Sequence, residues 1–309
     1  MQTKLKGGTM NVALFGKSFS DEGAVYLQQL MDKLKSVDCP LMVYGPFLEK
    51  IQKKVAIKSP VTIFNTHEEL TSGADILFSI GGDGTILDTL SLIRDSGIPI
   101  LGVNLGRLGF LSSISREEIL PAIDKVIQGK YTIDHRAVIS LQSPEGLFGK
   151  VNYALNELSV TKTETNSLAV VDVFIDNKFL NTYWADGLLV ATPTGSTAYS
   201  LSCYGPIVTP GSENFVITPI ASHNLTVRPI VVPDSSTIRI HLGGRNHQYQ
   251  VGLDSRYQTI GTGTELIIGR ADFKINLVQL SNKDFYSTIR DKLLWGKDNR
   301  NYPASFKIG

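Results

Sequence analysis

At Gly129 the hydrophobic pattern of this 309-residue chain changes period, and one uniform layer architecture cannot serve both sides of that point. Upstream, strand and helix signals alternate. Residues 11–15 read as a short apolar strand. Ser20 is placed to cap a helix with Asp21 and Glu22 in its first turn and Ala24, Leu27, Met31 and Leu34 at helical spacing. Residues 41–44 and 76–80 read as further strands, the second ending abruptly in glycine. Ile86, Leu87, Leu90 and Ile93 then mark one helical face, with Gly97 as the residue that stops it, and residues 98–103 return as a strand. A last helix is expected over 117–128, with Leu120, Ile123 and Ile127 on one side. This rhythm predicts right-handed crossovers and a parallel sheet.

Downstream of Gly129 come short β-rich runs at 138–141, 168–175, 188–191, 215–217, 238–242, 249–253, 266–268 and 273–277. Turn residues separate them, which predicts a mostly antiparallel domain. Phe285, Ile289 and Leu293 form one more helical stripe, stopped by Gly296. The expected organisation is an α/β domain over 10–128, a β-rich domain over 129–279 and a terminal helix within 280–305. Neither a repeat nor a low-complexity tract is present, and the residues before Met10 carry no pattern.

Charge and composition narrow the function classes. Lys and Arg total 30 against 29 for Asp and Glu, a formal charge of +1, so there is no basic excess for non-specific nucleic-acid binding. Two cysteines, Cys39 and Cys203, are too few for a disulfide scaffold or a zinc site, and no apolar signal core opens the chain. Residues 187–212 are uncharged and long enough to span a bilayer. They contain Pro193, Pro206, Pro210 and many hydroxyls, whose dehydration excludes a membrane helix. A soluble, cytoplasmic protein that does not bind membranes is expected.

The strongest motif is Gly81-Gly82-Asp83-Gly84-Thr85, set between an apolar strand and a helix. Its glycines allow close backbone approach, and its N–H groups with the positive helix end suit a phosphate. A carboxylate inside such a cradle needs a metal ion or a proton beside it, so Asp83 points to chemistry rather than to a tight turn. Asp88 is better explained as an acid stabilised near a helix start. A second motif, Asp186-Gly187-Leu188-Leu189-Val190-Ala191-Thr192-Pro193-Thr194-Gly195-Ser196-Thr197-Ala198-Tyr199-Ser200, opens from an apolar strand into hydroxyls, small residues and one ring. That surface suits a sugar and a planar base. The third is Asn156-Glu157. Neighbours in a strand face opposite ways, so both meet one ligand only where the strand ends or bulges.

Other motifs fail. Gly16-Lys17-Ser18 lacks the upstream glycine of a Walker A loop, Asn11 standing there, and no G-x-G-x-x-G occurs. Gly195-Ser196-Thr197 is not a nucleophile elbow, because Ala198 follows where glycine is required. His223, in a polar loop beside the Arg228-Pro229 step, is the one histidine in a binding-like context. Arg107, Arg228 and Arg256 each lie near a turn shaped by glycine or proline.

Together the motifs resemble the NAD kinase family over most of the chain from about Asn11 onward. The family order of GGDGT, N-x-G-x-x-G-F-L, Asn-Glu and D-G-x-x-x-x-T-P-T-G-S-T-A-Y is met at 81–85, 104–111, 156–157 and 186–199. One departure is Asp254-Ser255-Arg256, where many members carry glutamine in place of Arg256.

The resemblance implies an α/β N-terminal domain, an antiparallel C-terminal domain and a terminal helix packed back on the first. It implies transfer of the terminal phosphoryl group of ATP to the 2′-hydroxyl of the adenosine ribose of NAD, with Asp83 as base. It places Asp83, Gly84, Leu87, Phe110, Asn156, Glu157, Asp186, Thr194, Thr197, Ala198, Tyr199, Ser202 and Arg256 at NAD. Gly81, Gly82, Gly84, Thr85, Arg107, His223 and Arg228 would hold the phosphate donor. Mg²⁺ or another divalent ion is expected, since the chain lacks His/Cys clusters and the ligands on offer are phosphate oxygens. The resemblance also implies a homo-oligomer, dimer or tetramer, in which Asp186 reaches a ligand partly held by a neighbouring subunit. The alternatives are a lipid kinase of the diacylglycerol-kinase type, which would need an apolar cleft, and a non-catalytic NAD(H)-binding regulator, which would not need Asp83.

Overall fold

The computed structural model describes residues 10–106, 109–112, 114–164, 167–245, 247–280 and 284–295. The chain divides into two compact units, one holding the chain up to Thr89, Ile98–Asp134 and everything from Leu277, the other Leu90–Gly97 and His135–Asn276.

The first unit is built from β1 (Val12–Gly16), α1 (Asp21–Ser36), β2 (Leu41–Tyr44), α2 (Gly45–Ile51), β3 (Val61–Phe64), α3 (His67–Thr71), β4 (Ile76–Ile80), α4 (Asp83–Ile93), β5 (Ile100–Asn104), β6 (Ile114–Ser115), α5 (Ile119–Ile127) and β7 (Thr132–Arg136), except that the end of α4 from Leu90 and the last two residues of β7 count with the second. Its sheet runs β3-β2-β1-β4-β5 in parallel register. β1, β4 and β5 are buried along their whole length, as strands covered on both faces must be. Ser20 caps α1 by accepting from the Gly23 N–H at 3.1 Å, and Leu27, Leu30 and Leu34 bury the inner stripe. The α1 stripe shares a core with Val12, Leu14, Ile76, Phe78 and Leu101 of the sheet and Ile119, Ile123 and Val126 of α5. α2, β3 and α3 fall between 45 and 71, where sequence reading expected no elements. β3 exposes Thr62 and Ile63 at the sheet edge, so its alternation is weak.

The second unit continues with β8 (Ile139–Ser143), β9 (Tyr153–Ala154), β10 (Glu157–Lys162), β11 (Ala169–Ile175), β12 (Lys178–Ala185), β13 (Gly187–Ala191), α6 (Tyr199–Ser202), β14 (Asn214–Ile220), β15 (Ile230–Pro233), β16 (Ile238–Gly243), β17 (Gln248–Leu253), β18 (Arg256–Gly261) and β19 (Glu265–Arg270). Two antiparallel sheets result, β15-β14-β13-β10-β17-β18 and β12-β11-β16-β19-β8-β9. Their inner faces share one core, with Leu158, Val160, Leu188, Val190 and Val251 from one sheet and Val171, Val173, Ile240, Leu266 and Ile268 from the other.

β20 (Ile275–Gln279) follows, and α7 (Phe285–Leu293) closes the described chain. The run at 273–277 was expected among the antiparallel strands. Instead β20 pairs in parallel with β5, Leu277 opposite Ile100, and joins the first sheet. α7 ends with Leu294 in the left-handed region at φ 57°, so the helix stops before Gly296, which lies outside the described residues.

Candidate active site

In the first sheet, strand order reverses between β1 and β4, which pair up to Gly16 opposite Ile80. Parallel sheets bind ligands beyond the carboxyl ends of their strands at such a reversal. Residues 81–85 leave β4 at that point and become the first turn of α4. Gly81 sits at φ 150°, and a Cβ there would lie 2.2 Å from Thr85 Oγ1. Gly82 and Gly84 are different, because a Cβ on either would meet nothing within 4 Å. Nothing among the described residues crowds those two glycines, and the space beside them is open to a ligand. The Gly81 N–H is spent on the Val103 carbonyl (2.9 Å) and the Thr85 N–H on Gly82 (2.9 Å), so neither is a free phosphate donor. Of the first-turn amides of α4, those of Asp83 and Gly84 lie before the helix's own hydrogen-bond ladder begins.

Asp83 has more partners than the sequence suggested. Its Oδ2 accepts from the Phe110 N–H (2.7 Å), and its Oδ1 accepts from the N–H groups of Leu111 and Ser112 (both 3.1 Å) and from Ser112 Oγ (3.2 Å). Gly109 closes over the carboxylate so tightly that a Cβ would lie 1.9 Å from Oδ1. Asp83 thereby fixes the backbone that presents Phe110, half-buried as is Leu87 on α4. Arg107 lies outside the described residues. Asp88 pairs with Lys17 Nζ at 2.7 Å, a local ion pair in keeping with its structural reading.

In the second unit, β10 begins at Glu157, so Asn156 and Glu157 straddle a strand end, the one arrangement that lets neighbours serve the same ligand. Asp254, at the turn after β17, accepts from the N–H groups of Leu155 (2.9 Å), Asn156 (2.8 Å) and Glu157 (3.3 Å). Glu157 Oε2 is buried and finds no hydrogen-bond partner among the described residues. Burial, reinforced by the Asp254 carboxylate, pushes the Glu157 carboxyl up to about 8.

The hydroxyl-rich run packs against the same segment. The Thr192 N–H donates to the Asn156 carbonyl (2.8 Å), and Thr192 Oγ1 donates to the Leu155 carbonyl (2.5 Å) while accepting from the Gly195 N–H (3.1 Å). A Cβ on Gly195 would lie 2.1 Å from the Asn156 carbonyl oxygen, so only glycine permits this fit. Thr194 is buried and accepts from the Arg136 guanidinium at 3.2 Å, while Thr197 donates to the Thr194 carbonyl at 3.1 Å. Ala198 is half-buried, Ser202 exposed and Tyr199 43% exposed, which removes Tyr199 from the core.

Three expected residues are engaged elsewhere in their own unit. Asp186 pairs with Lys162 Nζ at 2.6 Å. Arg228 donates to the carbonyls of Leu225 (2.7 Å) and Val227 (2.8 Å), near an exposed His223. The Arg256 guanidinium donates to the carbonyls of Val151 and Tyr153. Sequence reading missed Ser112, Lys162, Arg136 and the carboxylate of Asp254 as organisers. Each acts on a partner remote in sequence, and local pattern carries no such signal. Among the described residues no three His, Cys, Asp or Glu side chains converge on a metal position, and no helix is long and apolar enough to cross a membrane.

Known proteins match this chain closely. The profile of the ATP-NAD kinase N-terminal domain matches residues 28–131, and that of the ATP-NAD kinase C-terminal domain matches 155–280. The chain is 45% identical to an NAD kinase of Cytophaga hutchinsonii over 293 residues, covering 94% of this chain and 100% of that one. It is 41% identical to an NAD kinase of Christiangramia forsetii, with the same coverage. Among solved structures, it resembles yeast NADH kinase complexed with NADH at a TM-score of 0.82 and 28% identity, over 97% of this chain and 91% of that one. It also resembles an NAD kinase of Archaeoglobus fulgidus in complex with ATP, at a TM-score of 0.71 and 25% identity, over 92% and 99%.

The raised Glu157 carboxyl sets a pH dependence. The folded state keeps a proton that the unfolded chain releases near the ordinary value of 4.5, so stability is full below that pH, declines as pH rises toward about 8, and levels off above it. Glu157→Gln has no proton to lose. Melting temperatures of both proteins from pH 5 to 9 are expected to converge at the acid end, with the variant gaining on the parent through neutrality. Parallel curves would mean that Glu157 is ionised in the fold.

Proposed function

The chain belongs to the NAD kinase family, and from that premise we propose that it transfers the terminal phosphoryl group of ATP to the 2′-hydroxyl of the adenosine ribose of NAD, giving NADP. Family membership decides against the lipid-kinase alternative. The observation that carries the mechanism is the anchored carboxylate of Asp83 at the strand-order reversal, beside two glycines with open space over them.

A ribose hydroxyl is a poor nucleophile and the transferred group already carries negative charge, so positioning and charge neutralisation do most of the work. The 81–85 loop with Arg107, His223 and Arg228 holds the donor. Mg²⁺ or another divalent ion bound with the donor would neutralise phosphate charge there. On Asp83, Oδ1 is occupied by Leu111 and both Ser112 donors, whereas among the described residues Oδ2 takes only the Phe110 N–H. Oδ2 is therefore the atom that accepts the 2′-hydroxyl proton. The ribose oxygen bonds to the γ-phosphorus, the bond to the β,γ-bridging oxygen breaks, and ADP leaves. Asn156 and Glu157 hold the adenosine part, with Gly84, Leu87, Phe110, Thr194, Thr197, Ala198, Tyr199 and Ser202 along the NAD site and Asp186 toward the nicotinamide end. The protein acts in the cytoplasm as a homo-oligomer, dimer or tetramer. Tyr204 (92% exposed) and Leu225 (86% exposed) give the second unit apolar surface for a neighbouring subunit to cover.

An assay of NADP formation from NAD, ATP and Mg²⁺ tests the reaction. Asp83→Asn is expected to lower kcat by about 10²-fold or more, because an amide oxygen at the Oδ1 position preserves the Leu111 and Ser112 contacts while the proton acceptor is lost. Turnover near the parent value would remove Asp83 from the chemistry. Tyr199→Ala should raise the KM for NAD several-fold with little change in melting temperature, since a stacking partner contributes about 0.5–1.5 kcal/mol beyond buried area. A large thermal loss with unchanged NAD affinity would make it a packing residue. Light scattering at micromolar concentration is expected to give a multiple of the 33.8 kDa chain mass, and a fully active monomer would refute the oligomer.

A further inference from the structure

Residues 155 and 156 lie between β9 and β10, outside both ladders, so their amides lack strand partners and need other acceptors. Asp254, in the turn joining β17 to β18, meets that need, and Arg256, the first residue of β18, takes carbonyls just upstream. Asp254, in the left-handed region at φ 53°, gathers the N–H groups of Leu155, Asn156 and Glu157 on its carboxylate, while its own N–H donates to the Glu157 carbonyl at 3.1 Å. Two residues on, Arg256 donates through both terminal nitrogens to the carbonyls of Val151 and Tyr153, with its guanidinium 6.0 Å from the Phe148 ring centroid. The acid takes the amides and the base takes the carbonyls of one continuous stretch. This fixes its path on either side of the two residues that neither β9 nor β10 takes in. The carbonyls of Leu155 and Asn156 are taken in turn by Thr192, so the same stretch also seats the hydroxyl-rich run.

We propose that Asp254 and Arg256 form a backbone clip whose role is to hold Asn156 and Glu157 in the geometry that receives the NAD acceptor, making both of them positioning residues. The inference rests on the reading that Asn156 and Glu157 bind the adenosine part of NAD. Arg256, which the family pattern would put in contact with NAD, acts on it through the main chain. Neither residue is among those assigned to the donor phosphates or to the proton transfer, so their loss should separate acceptor binding from donor binding. A displacement of about 1 Å at a positioned group is enough to cost up to about 10²-fold in rate.

The test measures KM for NAD, KM for ATP and kcat in the full chain carrying Asp254→Asn, Arg256→Gln or Arg256→Lys. Asp254→Asn turns an N–H₂ toward main-chain donors and is expected to raise the KM for NAD about tenfold or more, with the KM for ATP changing less than about twofold. Arg256→Gln should raise the NAD value several-fold, and Arg256→Lys, which keeps a cationic donor for one carbonyl, should recover part of the loss. Should Asp254→Asn not fold, the two Arg256 variants carry the test alone. Asn156→Ala is the control. If it raises the KM for NAD while the Asp254 and Arg256 variants leave it unchanged, the clip is overturned and the adenosine site stands. If Asn156→Ala itself has no effect, both readings fall. Equal rises in the two KM values, or lost thermal stability with unchanged NAD affinity, also overturn the clip.

Discussion

Three consecutive main-chain N–H groups that neither a strand ladder nor a helix takes up must be satisfied in each unit, and in each unit one aspartate does it. Asp83 collects the amides of Phe110, Leu111 and Ser112, and Asp254 those of Leu155, Asn156 and Glu157. An unpaired buried amide costs about 1–3 kcal/mol, so irregular backbone of this kind persists only where a concentrated acceptor sits opposite it. A carboxylate is the best such acceptor, since charge-assisted hydrogen bonds are roughly twice as strong as neutral ones. Irregular segments at strand ends are also where a ligand can reach the backbone. The same interaction therefore shapes the loops and keeps them available for binding.

The glycines follow from that constraint and sort by cause. Gly109 and Gly195 are required by close approach, one to the Asp83 carboxylate and the other to the Asn156 carbonyl. Gly81 is required by its conformation and by Thr85. Gly82 and Gly84 face open space among the described residues, so neither is required by close packing. A run of three glycines thus divides into one that builds the turn and two that leave room beside it.

Charge placement separates two carboxylates that lie side by side. Burial pushes both carboxyls up, but Asp254 is met by three main-chain donors that oppose the shift, whereas Glu157 has a buried oxygen with no hydrogen-bond partner among the described residues and keeps its proton toward neutrality. Sequence offered no basis for that distinction, because an Asp and a Glu 97 residues apart carry no signal of contact.

The sequence by itself determined the elements whose period is strong and whose faces are fully buried: β1, α1, β2, β4, α4 and the core strands β11, β13, β16 and β17. It also determined the kinase family, because the spacing from 81–85 to 186–199 is local chemistry written in order. It missed α2, β3 and α3, which are short or half exposed, and β10 and β12, whose faces mix charge with apolar residues. The tertiary structure alone decided that β20 leaves the antiparallel region to pair with β5, since a strand's residues fix its alternation but not its neighbour. It alone decided that Asp83 organises 110–112 and that Arg256 spends its charge on carbonyls. A side chain's type fixes which bonds it can make, but its partner depends on which distant backbone the fold brings within 3 Å of it.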